Sequence, residues 1–194
     1  METLRRGSGR LSIVRVGIAH HLGWAVAVTA AADHRVVDRR RIELIEPGLP
    51  TAPVEHEGRP LDDAGLARLI ARVRESAARA TAAALDELVA AVAEPIMSLS
   101  LRAWPFDFPD DIAVLRRPPF DARADSVMYL QVLDDAARAR GWAVHCFDAK
   151  HVERQAAALL GSRADEILHG PRRIWGPPWT KDHRTALAAT VVAS

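Results

Sequence analysis

Cysteine is almost missing from this 194-residue chain, where Cys146 stands alone. No internal disulfide can form and no multi-thiolate zinc site can be built, so a disulfide-free fold in a reducing compartment, the cytoplasm, is expected. Lysine is nearly as scarce: Lys150 and Lys181 are the only lysines among 26 basic residues. With 25 acidic residues against those 26, the formal net charge is +1, which excludes a polycation coating nucleic acid along its whole surface. An anionic partner must therefore be met by a local patch. Long apolar runs are lacking too. The longest, Leu22 to Ala32, is far below the roughly 18 to 20 residues that cross a bilayer, and no membrane partner is expected.

What the chain does contain suffices for a core. With 49% hydrophobic and 26% charged residues it reads as one compact domain. Residues 1–10 are polar and aperiodic, a mobile arm by expectation, and residues 11–194 form the single domain. From Leu11, the aliphatic residues Ile13, Val14, Val16 and Ile18 predict a strand; Trp24 to Thr29 predict a second, and Val36 to Leu44 a third. Short polar breaks at His20-His21-Leu22-Gly23 and Asp33-His34 make residues 11 to 45 an antiparallel meander.

The proline-rich stretch 46–60 reads as a connection, followed by a long helix from an N-cap at Asp62 or Asp63 to about Ala93. Its Ala-rich middle, Ala77 to Ala84, lets it lie close to a sheet or against a second copy, and a homodimer is expected. Ile96 to Leu101 alternates as a fourth strand. Residues 102–122 read as a long structured loop, Asp125 to Arg140 as an amphipathic helix, and Trp142 to Phe147 as a fifth strand with Cys146 packed inside it. Helix follows around 149–169, then a Gly-Pro-Trp loop (GPRRIWGPPW), then a last helix capped by Thr180.

Three strands, helix, strand, helix, strand, helix is the element order of an α/β, RNase H-like fold: a five-stranded mixed sheet, antiparallel meander plus two parallel strands, flanked by helices. The residues sharpen this. Gly17-Ile18-Ala19-His20-His21-Leu22-Gly23-Trp24-Ala25-Val26 resembles the first hairpin of RuvC-type Holliday-junction resolvases, which opens Gly-Ile-Asp and passes a glycine turn into Gly-aromatic-small-Val. Lys181-Asp182-His183-Arg184-Thr185-Ala186-Leu187-Ala188 resembles the Asp-x-x-Asp-Ala-Leu-Ala string of the same family.

The resemblance implies a nuclease site in which carboxylates from the first strand, the end of the fourth strand and the start of the last helix hold two Mg²⁺ ions about 4 Å apart. Residue by residue, that set is depleted. The first-strand aspartate position holds Ala19; the fourth-strand position falls on Ser98, Ser100 or Arg102; the last helix keeps Asp182 but has Thr185 at its second acidic position. One carboxylate cannot hold two hard cations. The expectation is a catalytically inactive RuvC-like domain that binds structured nucleic acid or a protein partner, needing no cofactor, with Asp182 the one catalytic position retained.

Alternatives stand beside it. His20, His21, Asp182 and His183 offer imidazole and carboxylate ligands for a rebuilt metal site, a nuclease or other phosphoester hydrolase using Zn²⁺ or Mn²⁺ more readily than Mg²⁺. A structural assembly subunit is the third reading. Asp107, Asp110 and Asp111 read as loop residues and caps, and a triad of Ser100, His20 and Asp182 lacks a nucleophile-elbow glycine pattern. For nucleic acid, the candidates are Arg39, Arg40, Arg41, Arg116, Arg117, Arg172 and Arg173 with Trp175 and Trp179, since guanidinium groups hold phosphates and aromatic rings stack bases.

Overall fold

The computed structural model describes residues 13–193. The arm expected over residues 1–10 lies outside them, as does Leu11. Strands β1 (Val14–His20), β2 (Trp24–Ala31), β3 (Val36–Glu43), β4 (Ile96–Arg102) and β5 (Ala143–Phe147) form one sheet in the order β3-β2-β1-β4-β5. β1, β2 and β3 pair antiparallel, whereas β4 runs parallel to both β1 and β5. This is the RNase H-like arrangement.

Side-chain alternation divides the sheet into two buried faces. Val14, Val16, Ile18, Leu99 and Leu101 enter one core with helices α1 (Asp63–Ala91) and α3 (Asp121–Ala139). Ala19, Val26 and Val28 enter the other, beneath α4 (Val152–Leu160), α5 (Ala164–His169) and α7 (Lys181–Val192). Burial on both sides explains why β1 and β2 are nearly continuous in apolar residues. The second face is built for close approach. A Cβ on Gly17 would stand 1.8 Å from the Ala186 carbonyl oxygen, so only glycine lets α7 seat against β1.

Several boundaries differ from the sequence reading. The long helix runs Asp63–Ala91 with Asp62 accepting from the Gly65 amide as N-cap. The 46–60 connection contains a π-helical turn, Pro53–Glu57, and the 102–122 loop contains the short α2 (Ile112–Leu115), with Asp111 as its cap. α3 starts at Asp121 rather than Asp125, directly after Pro118 and Pro119, where the ban on helical backbone ahead of a proline ends. Asp125 is thus inside the helix, buried, and accepts the Val54 and Glu55 amides at 3.0 and 2.9 Å, which fixes the π-turn onto α3.

The GPRRIWGPPW segment is not all loop: Pro171–Trp175 forms the short helix α6. Cys146 is exposed, contrary to the packed thiol expected, because β5 is an edge strand of the sheet.

Candidate functional site

The parallel strands β1, β4 and β5 end at one rim of the sheet, and the first turn of α7 arrives at the same place. Ligands in open α/β sheets collect at such carboxyl ends, where strand-end side chains and helix N-termini converge. Here a cleft of about 180 Å³ is lined by Ala19, His20 and His21 from β1 and its turn, Arg102 from β4, and Lys181, Asp182 and Thr185 from α7. Of the residues matched by the resemblance to acidic positions, Ala19, Arg102, Asp182 and Thr185 line this cleft. Ser98 and Ser100 are buried along β4, and Arg102 is the residue that reaches the rim.

Gly23 shapes the first hairpin turn with φ of +82°, a conformation glycine adopts without strain. The turn projects His21 toward α7, and its Nε2 lies 3.1 Å from Asp182 Oδ2. The same imidazole stacks on Trp24 with ring centroids 4.1 Å apart, and the Arg41 guanidinium sits 4.0 Å over the Trp24 ring. A column of Arg41, Trp24, His21 and Asp182 thus ties β3, the first hairpin and α7 together.

The other two histidines point elsewhere. His20 Nε2 is 2.9 Å from the Ser126 hydroxyl on α3. Burial, then the positive charge of Arg102, then His21 drive its pKa down from 6.5 to about 4, so the ring is uncharged at neutral pH. His183 is buried in a capping box, its Nδ1 accepting the Thr180 amide at 3.2 Å. Its pKa is lowered by burial first and by Arg39 second. Among the described residues no three His, Cys, Asp or Glu side chains group as a metal ion needs. Of the four residues weighed as a ligand set, His21 and Asp182 are hydrogen-bonded to each other, His20 is bonded to Ser126, and His183 caps α7. Thr185 is engaged as well, donating to Glu153 on α4 at 3.1 Å.

Two more clefts continue the first. One of about 390 Å³ shares Asp182 and runs past Trp24 to Arg39, Arg40 and Arg41; another of about 130 Å³ shares Arg102 and reaches Arg123 and Ser126. Along all three the ionisable arginine, lysine and carboxylate residues are Arg39, Arg40, Arg41, Arg102, Arg123 and Lys181 against Asp182 alone. The rim is a basic groove.

The arginines picked from sequence are not equivalent within it. Arg39 donates to the carbonyls of Trp175 (2.8 Å) and Pro178, pinning the α6 segment to β3. Arg40 is paired with Asp38 at 2.8 Å and Arg41 with Glu43 at 2.6 Å. Arg116 serves the fold, bonding Asp63 and the carbonyls of Gly58 and Leu61 at the start of α1. Trp179 is buried with its indole N–H on the Leu168 carbonyl at 2.9 Å, a core residue and not a stacking platform. Arg117 and Arg172 are exposed but line none of the three clefts, and Arg173 and Trp175 line a separate one beside the β2–β3 turn.

Sequence reasoning missed Arg123, Ser126, Trp24 and Lys181 as site residues. Trp24 alone carried a signal, as the aromatic of the hairpin motif. Arg123 and Ser126 reach the rim only because α3 packs beside β4.

No family model and no curated protein sequence matches the chain. Among solved structures it is similar to T. thermophilus RuvC in complex with Holliday junction substrate, at 16% identity over 92% of this chain and 90% of that one, TM-score 0.47. It is also similar to a Thermus thermophilus RuvC structure at 13% identity, over 92% and 90% of the two chains, TM-score 0.48.

Proposed function

We propose that this chain binds structured nucleic acid along the basic groove at its sheet rim and does not cut it. The observation that carries the reading is the charge composition of the groove, six basic side chains to a single carboxylate. Two-metal hydrolysis of a phosphodiester needs several carboxylates converging on hard cations. The positions matched by the resemblance hold Ala19, one of Ser98, Ser100 or Arg102, and Thr185, none of them a carboxylate, and Asp182 faces His21. Guanidinium and ammonium groups there attract phosphates directly, without intervening metal ions.

The test pairs binding with cleavage. A four-way DNA junction, a linear duplex and an RNA–DNA hybrid are titrated at stepped salt concentrations, and each is incubated with Mg²⁺ or Mn²⁺. The expected result is binding whose affinity falls steeply as salt rises, with intact substrate recovered. Cleavage that disappears in Asp182→Ala overturns the inactive reading. Absence of binding to all three at low salt removes nucleic acid as the ligand and leaves an assembly role.

A further inference from the structure

Most arginines of the groove already have acceptors within the fold. Two do not: among the described residues neither the Arg102 nor the Arg123 guanidinium has a hydrogen-bond acceptor or an ion-pair partner. Both line the same cleft of about 130 Å³, at the end of β4 and the first turn of α3, whose lining also includes Ser126 and no carboxylate. Both residues are exposed at the mouth of this cleft, and two like charges in one lining favour entry of an anion. Trp104, Val127 and Leu130 are also part of the lining.

From this geometry we infer a seat for a terminal phosphate monoester, the phosphorylated end of a nucleic-acid strand; the inference rests on the binding reading above. Three features select that ligand. The cleft, about 130 Å³, is large enough for one tetrahedral oxyanion. Two fixed positive charges match a dianionic monoester, whereas an internal phosphodiester carries one negative charge. The third feature is the Ser126 hydroxyl, which is 2.9 Å from His20 Nε2. With the ring proton on Nε2, the uncharged imidazole donates to Ser126 Oγ, and the hydroxyl proton is free to turn toward a phosphate oxygen. The first turn of α3, from which Arg123 projects, adds the positive end of a helix dipole. His20 thereby acts as a positioning residue for Ser126.

The experiment compares one oligonucleotide duplex carrying a 5′-phosphate, a 3′-phosphate or hydroxyls at both ends, each binding the full chain at fixed salt. A parallel titration with inorganic phosphate follows the His20 imidazole by NMR. The seat predicts roughly tenfold tighter binding of one phosphorylated form over the hydroxyl form, and a His20 signal that moves with inorganic phosphate. In Arg123→Ala and Ser126→Ala the ratio falls toward unity, whatever happens to overall affinity, and Ser126→Thr restores it. A ratio near unity for both phosphorylated ends in the wild-type chain, with binding retained, overturns the seat and leaves the groove reading standing. Loss of all duplex binding with the His20 response intact overturns the groove and keeps the seat, and silence in both assays overturns both.

Discussion

His21 and Asp182, which lie 161 positions apart in the chain, meet at the rim with 3.1 Å between Nε2 and Oδ2. The one carboxylate left where a nuclease would gather several is turned toward an imidazole that is itself stacked on Trp24. In a metal-dependent nuclease, neutralising that carboxylate abolishes function. In a basic binding groove it removes the one carboxylate among the residues that line the three clefts. Asp182→Asn is therefore expected to tighten binding of a DNA duplex by up to about fivefold at low salt, since an exposed charge contributes up to about 1 kcal/mol, and the gain shrinks as salt rises. Fluorescence anisotropy at two ionic strengths checks both the sign and the screening.

Gly17→Ala places a methyl group 1.8 Å from the Ala186 carbonyl oxygen, which is backbone and has no rotamer to yield. α7 must lift from β1, opening the second core. A loss of more than about 3 kcal/mol is expected, read as a lowered denaturation midpoint or failure to accumulate folded protein.

Arg39→Ala frees the backbone of the α6 segment, which Arg39 holds through the Trp175 and Pro178 carbonyls. The two cores contain none of these contacts. The expected outcome is a loss of about 1–2 kcal/mol, with protease cutting concentrated within 170–179 before the sheet unfolds. Limited proteolysis with mass mapping distinguishes this local release from global loosening.

Acid should destabilise the fold in a defined window. His20 has a pKa near 4 in the folded chain, against 6.5 when solvated. Between those values the unfolded chain binds a proton that the folded chain refuses, so stability falls as pH drops from 6.5 and the effect is complete near 4. The contribution of His20 is on the order of 3 kcal/mol. His34 and His183 are lowered in the same direction, each by burial first, so His20→Asn flattens the slope without removing it. Denaturant titrations at stepped pH, wild type against His20→Asn, test this.

The sheet was legible in the residues because strands announce themselves locally. The apolar run of β1 and β2, the glycine in the first turn and the alternation of β4 each depend on neighbours a few positions away. The depleted acidic set was legible too, since Ala19 and Thr185 lack a carboxylate in any conformation. Helix α6 escaped notice because a turn and a half that opens on Pro171 and is flanked by Gly170, Gly176, Pro177 and Pro178 has no periodicity to read. Cys146 was misjudged because an apolar run does not tell an edge strand from a central one.

What the chain alone determined is that a single thiol, Cys146, can form neither an internal disulfide nor a multi-thiolate metal site, whatever the fold. Which arginines hold the fold and which stand free was decided by tertiary structure alone. Arg39 and Arg116 look no different from Arg102 and Arg123 in sequence, and only packing put carbonyls within reach of the first two and an open cleft before the others. The physical reason is range. Strand and helix follow from side-chain spacing along one segment, whereas a pairing such as His20 with Ser126, 106 positions apart, exists only once α3 has docked against the sheet.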